Sequence, residues 1–279
     1  MVTGASSGIG RELARQLAPR ARALALVARR TERLDELATE LRAANASLEV
    51  HVLSCDLADR AATRALPDRI RAAMGNVDVL VNNAGLGLMG LFEESDLDAI
   101  LAMVEVDVAT LVSLTHAFLP AMIEKKSGGI LNVSSGFGLA FTPGFAAYVG
   151  AKHFVTGFTE SLRAELSGTG VVATQICPGP VVTEFEQVAG NTTGKSVPGF
   201  VQIDAVHCAR AAIRGLERDQ AMIIPGAAIG AFMAMLAWTP RSMVRLFTNP
   251  AGRWLRGRQA PVASMPDTRG PTRGDRATR

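Results

Sequence analysis

Tyr148 and Lys152 lie four residues apart in a stretch with helical periodicity, and Ser135 lies thirteen residues before the tyrosine. Residues at i and i+4 share one face of a helix, so we expect the phenol and the ammonium to lie one turn apart. A nearby positive charge favours the phenolate and should lower the phenol pKa from its usual value of about 10. These residue types therefore suit general acid–base catalysis, with Tyr148 giving or taking a proton. Taken alone, such a Tyr and Lys pair is more often part of the surface of a helix and has no catalytic role.

A glycine-rich turn with the sequence TGASSGIG runs from Thr3 to Gly10, directly before the amphipathic stretch Arg11–Ala18. Glycines allow a tight turn and a close backbone approach, and the N–H groups at a helix start favour an anion. The turn thus predicts a site for the pyrophosphate of a dinucleotide. The residues predicted to contact it are Gly4, Ser6, Ser7, Gly8, Ile9 and Gly10.

The residues after the second predicted strand bear on the choice of dinucleotide. An acidic residue there would bind the ribose hydroxyls of NAD, whereas an arginine accommodates the 2′-phosphate of NADP. This chain has Arg29 and Arg30, whose guanidiniums suit bidentate phosphate contacts. The sequence therefore favours NADP over NAD as the cofactor. The alternative is that both arginines merely begin the charged helix predicted over Thr31–Ala43.

Apolar runs alternate with amphipathic stretches along the chain, which is typical of an α/β fold with a parallel sheet covered on both faces. The predicted strands are Ala23–Ala28, Leu48–Ser54, Val77–Asn82, Gly129–Ser134, Val171–Cys177 and Met222–Pro225. Only Met1 and Val2 precede the first turn, where a buried strand takes about 5–6 residues. We therefore predict a truncated first strand, with the natural start of the protein upstream of Met1.

In these motifs the sequence resembles the short-chain dehydrogenase/reductase family over about residues 1–225. The motifs that carry the resemblance are TGxxxGxG at Thr3–Gly10, Asn82-Asn83-Ala84-Gly85, Ser135, Tyr148-x-x-x-Lys152 and Pro178-Gly179. The resemblance implies a Rossmann-type doubly wound parallel sheet with strand order 3-2-1-4-5-6-7, and homo-oligomers formed through helices. It also implies an NAD(P)-dependent oxidoreductase that interconverts a ketone or aldehyde and an alcohol, with Ser135 holding the substrate oxygen.

The resemblance assigns further cofactor contacts. Asp56 and Leu57 would contact the adenine, and Asn83, Ala84 and Gly85 would line its ribose and support the central strand. Tyr148 and Lys152 would contact the cofactor as well as catalyse proton transfer. On the nicotinamide side, the residues implied are Pro178, Gly179, Val181 and Thr183.

Asp107 departs from the family pattern, because relatives usually have an Asn there that holds a proton-relay water near the lysine. A charged Asp107 would pair with Lys152 and partly cancel its effect on Tyr148, whereas a neutral one could mimic the amide. We therefore include Asp107 among the catalytic candidates. We expect Asp107→Asn to leave activity intact or to raise it.

The end of the chain differs from the predicted catalytic domain at 1–225. Residues 226–256 are predicted to form an apolar helical appendage, and 257–279 a basic disordered tail, since Arg253–Arg279 holds seven Arg against two Asp. Ala221–Trp238 carries no charge, but Pro225 and Gly226 leave too few residues after them to cross a hydrocarbon core of ~30 Å. The sequence favours an appendage that covers the substrate pocket or an oligomer face over one that lies on a membrane surface.

The remaining features limit the function classes. The three cysteines are far apart, and the four histidines do not converge, so no disulfide framework and no metal site are predicted. We predict no nucleic-acid partner, because the basic tail is mixed with Pro, Gly, Thr and Ser. Without a secretory signal pattern, a cytoplasmic location is expected. Glu184–Gln202 is predicted to be a lid over a hydrophobic small-molecule substrate.

Two rival interpretations stay open. Asp107 and the truncated first strand would also suit a relative that senses a dinucleotide without turning it over. The apolar appendage and the basic tail would suit a reductase that acts at a membrane surface on lipid-like substrates.

Overall fold

A computed structural model describes residues 1–181, 184 and 202–257 of the 279-residue chain. Within these residues, parallel strands form one seven-stranded sheet in the order β3-β2-β1-β4-β5-β6-β7. This confirms the predicted Rossmann-type doubly wound α/β fold and its strand order. The strands are β1 (Val2–Thr3), β2 (Ala23–Ala28), β3 (Glu49–Ser54), β4 (Val79–Asn82), β5 (Gly128–Val133), β6 (Val171–Ile176) and β7 (Met222–Ile223).

Helices cover both faces of this sheet. They are α1 (Gly8–Leu17), α2 (Thr31–Ala44), α3 (Arg60–Met74), α4 (Leu97–Val104), α5 (Leu111–Lys125), α6 (Ala146–Glu165), α7 (Ala205–Glu217), α8 (Ala227–Trp238) and α9 (Arg241–Arg256). One hydrophobic core joins the sheet to α1, α2 and α7, and the other joins it to α3, α5 and α6. Alternate residues of β2 enter the two cores, because successive side chains of a strand point to opposite faces.

Strand β1 has two residues and still lies in the middle of the sheet. Val2 pairs with Leu26 of β2 on one side and with Val81 of β4 on the other. The Thr3 hydroxyl strengthens this join, because it donates to the Val81 carbonyl at 3.2 Å and accepts from the Asn83 N–H at 3.0 Å. The short strand is thus fixed by side-chain as well as backbone hydrogen bonds.

Several predicted strand ends differ from the structure by one or two residues. Strand β4 begins at Val79 rather than Val77, and β6 ends at Ile176 rather than Cys177. Val77 and Cys177 are nevertheless buried. The apolar pattern records burial rather than strand pairing, so it overestimates strand length wherever a loop continues through the core.

Two helices follow β7 and lie near the carboxyl edge of the sheet. Ile229 of α8 packs against Gly179, and Leu255 of α9 packs against Gly144. No helix in residues 1–181 or 202–257 is both long enough and apolar enough to cross a membrane. The division into a catalytic domain, an appendage and a tail stays a prediction, and 258–279 lie outside the described residues.

Candidate active site

Four predicted catalytic side chains meet beside the carboxyl ends of β4 and β5. Ser135 follows β5 at the start of a short 3₁₀ turn, and Tyr148 and Lys152 lie on α6. Asp107 lies in a π-helical segment, Glu105–Thr110, which joins α4 to α5. All four side chains are buried. The structure therefore brings together residues that span 46 positions of the sequence (107 to 152).

The ammonium of Lys152 is held by three groups. Its Nζ lies 3.0 Å from Asp107 Oδ2, donates to the Val133 carbonyl at 3.2 Å and lies 5.6 Å from the centre of the Tyr148 ring. The other oxygen of Asp107 accepts a hydrogen bond from the Leu86 N–H at 2.7 Å. Lys152 is therefore fixed beside the phenol, with a buried carboxylate as its ion-pair partner.

Gly85 makes room for this ion pair. A Cβ at this position would lie 3.3 Å from Lys152 Nζ and 3.4 Å from both Asp107 oxygens. Such contacts are tighter than most real Cβ contacts, so a larger residue would displace the ammonium or the carboxylate. Gly85 was predicted to line the cofactor ribose, and the structure gives it this packing role as well.

The pKa of Tyr148 is raised above its usual value. Burial is the main cause, the Lys152 charge opposes it, Asp107 adds to it, and a hydrogen bond with Ser135 opposes it. Lys152 lowers the phenol pKa, as its spacing from Tyr148 predicts, but the net shift is upward, away from neutrality. The cause is that burial of the phenol and the negative charge of Asp107 together outweigh the ammonium.

The two members of the ion pair stabilise each other against the cost of burial. Burial alone would lower the pKa of Lys152, but Asp107 and Tyr148 raise it above its usual value, so the ammonium stays charged. Burial raises the pKa of Asp107, and Lys152 and the Leu86 N–H oppose this shift. Removing either partner would leave the other buried without its counter-charge.

Ser134 and Ser135 have different surroundings. The Ser134 hydroxyl donates to the Lys152 carbonyl at 3.2 Å and shares a 2.9 Å hydrogen bond with Thr156. The Ser135 hydroxyl instead faces Tyr148 and accepts the Phe137 N–H at 3.2 Å. This geometry fits the choice of Ser135 over Ser134 as the catalytic candidate.

Apolar groups surround the phenol. The Phe137 ring meets Tyr148 edge to face with ring centres 6.1 Å apart, and Phe145 lies 6.4 Å from Tyr148. The side chain of Met233 on α8 reaches Gly136, the residue that follows Ser135. Among the described residues, the surroundings of the phenol and of Ser135 are therefore partly aromatic and apolar.

The glycine-rich turn has the backbone that a dinucleotide site requires. Gly4 and Gly8 have positive φ angles, +66° and +54°, and α1 begins at Gly8. A Cβ at Gly10 would lie 2.3 Å from Asn83 Nδ2 and 2.4 Å from the Gly4 carbonyl oxygen. Glycine is thus needed for the turn to pack against Asn83, and the turn and helix start together fit a pyrophosphate.

Arg30 points towards this turn, whereas Arg29 points towards Asp56. Arg30 donates hydrogen bonds to the hydroxyls of Ser6 (3.2 Å) and Ser7 (2.7 Å). Arg29 Nη1 lies 4.0 Å from Asp56 Oδ1. Of the two predicted phosphate contacts, Arg30 therefore has the more direct position beside the residues predicted to bind the pyrophosphate.

Sequence reasoning missed Arg33 and Glu184 at this end of the site. Arg33 Nη1 donates to the two Glu184 oxygens at 2.7 and 2.9 Å, and Arg30 Nη1 donates to Glu184 at 2.8 Å. Arg33 lies three residues after Arg30, and residues at this spacing share one side of a helix. Helical spacing could therefore have predicted that Arg33 lies beside Arg30. No comparable signal existed for Glu184, which approaches from a distant part of the chain.

The remaining predicted cofactor residues lie along the same edge of the sheet. Asp56 accepts the Ala58 N–H at 3.0 Å, and the Leu57 carbonyl accepts a hydrogen bond from Thr110 at 2.8 Å. Asn83 Nδ2 donates to the Thr3 carbonyl at 2.8 Å, and the Ala84 N–H donates to the Thr3 hydroxyl at 3.0 Å.

The predicted nicotinamide-side loop begins directly after β6. The Pro178 carbonyl accepts the Gly136 N–H at 2.8 Å, and Val181 pairs with Ile203. A Cβ at Gly179 would lie 2.5 Å from the Ile229 side chain. Thr183 lies outside the described residues, as does the predicted lid apart from Glu184 and Gln202. In the part of the chain that is described, no group of three or more His, Cys, Asp or Glu side chains could hold a metal ion.

The fold is a doubly wound parallel sheet, and its carboxyl edge carries a Ser, Tyr and Lys cluster and a glycine-rich turn. Together these features define a dinucleotide-dependent oxidoreductase. The sequence profile of the short chain dehydrogenase family matches residues 1–193. The chain therefore belongs to the short-chain dehydrogenase/reductase family, and the relatives that it matches are named as dehydrogenases and reductases.

Individual relatives support this membership. Sulfoacetaldehyde reductase 2 from Chromohalobacter salexigens is 40% identical over 190 residues, which cover 67% of this chain and 74% of the relative. Two other curated relatives are matched over about three fifths of their own length (60% and 58%).

Two solved structures have the same fold. A short-chain dehydrogenase from Sphingobium yanoikuyae in complex with NADPH has a TM-score of 0.76 and 29% identity, covering 94% of this chain and 96% of that one. A short chain dehydrogenase/reductase from Burkholderia phymatum in complex with NAD has a TM-score of 0.75 and 27% identity, covering 89% and 94%. Structures of this fold thus include complexes with either dinucleotide.

Proposed function

We propose that this protein is an NADP(H)-dependent oxidoreductase that interconverts a ketone or aldehyde and an alcohol, with Tyr148 as the general acid/base. The observation that carries the proposal is the buried cluster of Ser135, Tyr148 and Lys152 beside the glycine-rich turn. The dinucleotide, when bound, supplies or accepts the hydride. The protein's own groups then have to position the substrate oxygen and move one proton.

Each side chain has a distinct part in that proton transfer. In reduction, Tyr148 donates its proton to the substrate oxygen, and its raised pKa means that the phenol is protonated at neutral pH. Ser135 holds the same oxygen by a hydrogen bond. Lys152 stabilises the phenolate that forms, and Asp107 keeps the ammonium in position. In oxidation Tyr148 must first lose its proton, so this direction is favoured at higher pH.

The preference for NADP(H) rests on Arg30. Its guanidinium lies at the hydroxyls of Ser6 and Ser7, beside the end of β2, where the 2′-phosphate of the cofactor would lie. The other proposed cofactor contacts are Gly4, Gly8, Ile9, Gly10, Arg29, Asp56, Leu57, Asn83, Ala84, Gly85, Tyr148, Lys152, Pro178, Gly179, Val181 and Thr183. The proposed substrate is hydrophobic, because Phe137, Phe145 and Met233 lie around the phenol and Ser135. A cytoplasmic location and a homo-oligomeric state stay predictions.

Turnover of a panel of aldehydes and ketones, followed as NADPH oxidation, tests this function. Tyr148→Phe keeps the ring packing but removes the proton, and we expect the rate to fall by about 10²–10⁴-fold. Ser135→Ala should also reduce the rate strongly, whereas the matched Ser134→Ala should affect mainly stability, because that hydroxyl bonds to Thr156. NADPH binding without turnover of any member of a broad panel would instead favour the dinucleotide sensor.

A second candidate function is that of a reductase that works on a membrane surface. It is favoured by the exposed apolar face of α9, formed by Met243, Leu246, Phe247 and Trp254. Three of these residues follow the helical spacing i, i+4 and i+11, and Phe247 is 78% exposed. Exposed apolar faces of this kind usually mark an interaction surface.

The charge of α9 suits anionic lipid headgroups. The helix carries Arg241, Arg245, Arg253 and Arg256 and no acidic residue. Its less exposed residues Gly252 and Leu255 face Pro143 and Gly144. Arg256 pairs with Glu93, and a symmetric contact between two copies of α9 would still bring the other six arginines together, which disfavours a second chain as the occupant.

Flotation of the full-length chain with vesicles separates this candidate from the others. Vesicles of phosphatidylcholine with phosphatidylserine should bind the protein better than vesicles of phosphatidylcholine alone, and Phe247→Ser should weaken that binding. The control Phe92→Ser changes an exposed phenylalanine outside α9 and should leave binding unchanged. The membrane candidate would be excluded if the floating fraction contained equal amounts of protein with and without vesicles. It would also be excluded if the protein formed dimers that Phe247→Ser dissociates.

A further inference from the structure

A charged cluster lies at the predicted cofactor edge of the sheet. Glu184 is bound by Arg30 at 2.8 Å and by Arg33 at 2.7 and 2.9 Å. Glu184 follows β6, and the two arginines lie at the start of α2, directly after β2. Strands β1, β4 and β5 separate β2 from β6 in the sheet. The ion pair therefore joins the two parts of the chain between which a dinucleotide would lie.

The carboxylate of Glu184 uses the donors that a phosphate would use. Guanidiniums bind carboxylates and phosphates through the same parallel N–H groups. Arg30 also contacts Ser6 and Ser7 in the glycine-rich turn, so these donors lie close to the predicted path of the cofactor. A phosphate monoester carries a charge of about −1.5 to −2 at pH 7 and should displace a single carboxylate.

Resting on the proposed use of NADP(H), we infer that Arg33 also recognises the 2′-phosphate and that Glu184 is the chain's own competitor for the same two guanidiniums. The cofactor displaces Glu184 when it carries a 2′-phosphate, and leaves the ion pair intact when it does not. The competitor is weak, because Glu184 and Arg30 are each more than 40% exposed and water screens their attraction.

Dissociation constants for NADPH and NADH, measured by calorimetry on the full chain, test this inference without requiring turnover. Arg33→Gln should weaken NADPH binding by about tenfold, as expected for one lost charge-assisted hydrogen bond, and change NADH binding by less than about twofold. Glu184→Gln should tighten NADPH binding by about two- to fivefold, since two exposed ion pairs no longer compete. Adenosine 2′,5′-bisphosphate should respond like NADPH, and adenosine 5′-monophosphate like NADH.

Glu40→Gln is the matched control. Glu40 accepts hydrogen bonds from Arg15 at 2.7 and 2.8 Å, lies 3.7 Å from Arg11 and is about as exposed as Glu184, at 44% against 41%. Both of these arginines lie on α1 outside the predicted cofactor contacts. This variant should leave both dissociation constants unchanged. Two results would overturn the inference alone, provided that the wild type prefers NADPH. One is unchanged NADPH binding in both Arg33→Gln and Glu184→Gln, and the other is weaker NADPH binding in Glu184→Gln. A wild-type preference for NADH would overturn the proposed NADP(H) use together with the inference.

Discussion

Two ion pairs of similar length lie at the two ends of the predicted cofactor site. Lys152 and Asp107 approach to 3.0 Å, with side chains that are 5% and 0% exposed. Arg30 and Glu184 approach to 2.8 Å, with side chains that are 44% and 41% exposed. The distance between the charged atoms is thus nearly the same in the two pairs, whereas the exposed fraction of the side chains is very different. Burial decides whether such a pair is a fixed part of the protein or a contact that a ligand can replace.

The difference follows from what surrounds each pair. Around Lys152, water is excluded, so the loss of either charge leaves the other without a partner and shifts the pKa of Tyr148. Around Glu184, water can replace the hydrogen bonds that the ion pair loses when it opens, so the free-energy cost of opening is low. A catalytic cluster requires the first property, and a phosphate site that must release its cofactor requires the second.

Removal of the buried ammonium should have the largest effect. We expect Lys152→Met to lower turnover by more than about 10²-fold and the free energy of unfolding by about 3 kcal/mol, because Asp107 is left buried without its counter-charge. Lys152→Met combined with Asp107→Asn should recover stability but not turnover. Urea denaturation and steady-state kinetics measure the two quantities separately. Equal stability of the wild type and Lys152→Met would contradict the importance of the buried pair.

Removal of the buried carboxylate should change the pH dependence. Asp107 raises the pKa of Tyr148, so Asp107→Asn should move the rise in alcohol oxidation to lower pH. Turnover should stay intact or increase, because an amide oxygen and the Val133 carbonyl can still accept hydrogen bonds from Lys152. The measurement is the pH profile of oxidation at saturating cofactor. A collapse in turnover of a folded Asp107→Asn protein would show that the carboxylate has a role of its own.

Stability should also respond to alkaline pH through Lys152. Its folded-state pKa is raised above the usual 10.5, so its stabilising contribution is complete below that value and is lost as the pH rises through the higher folded-state pKa. Asp107→Asn should reduce this loss, because Asp107 is the main group that raises the Lys152 pKa. Thermal unfolding measured across this alkaline range provides the test. An identical pH dependence in wild type and variant would mean that the pair is not coupled as described.

The exposed pair should show the smallest effect on stability. We expect Glu184→Gln to change the free energy of unfolding by less than about 1 kcal/mol, since both partners remain hydrated. Urea denaturation without cofactor provides the measurement, with Glu40→Gln as the comparison. A loss comparable with that of Lys152→Met would mean that exposure is a poor guide to the role of an ion pair in this protein.

Sequence reasoning predicted most of the fold, and the four side chains that it proposed as catalytic lie close together in the structure. The glycine-rich turn and the alternation of strands and helices indicated the parallel sheet, and the i, i+4 spacing placed Tyr148 and Lys152 on one face of α6. Such features are local, because a turn or a helix face is set by neighbouring residues. The strand ends were less accurate, since buried loop residues such as Val77 look like strand residues.

The sequence by itself determined the types of group in the site and the elements that carry them. Only the tertiary structure decided how those groups affect one another. The pKa of Tyr148 depends on burial and on Asp107, which lies 41 positions before it (107 to 148), and these two outweigh the lowering by Lys152 that the sequence predicted. Glu184 meets Arg30 and Arg33 across about 150 residues of chain, at separations of 154 and 151. Electrostatic interactions depend on distance and solvent exposure in three dimensions, and spacing along the chain records neither.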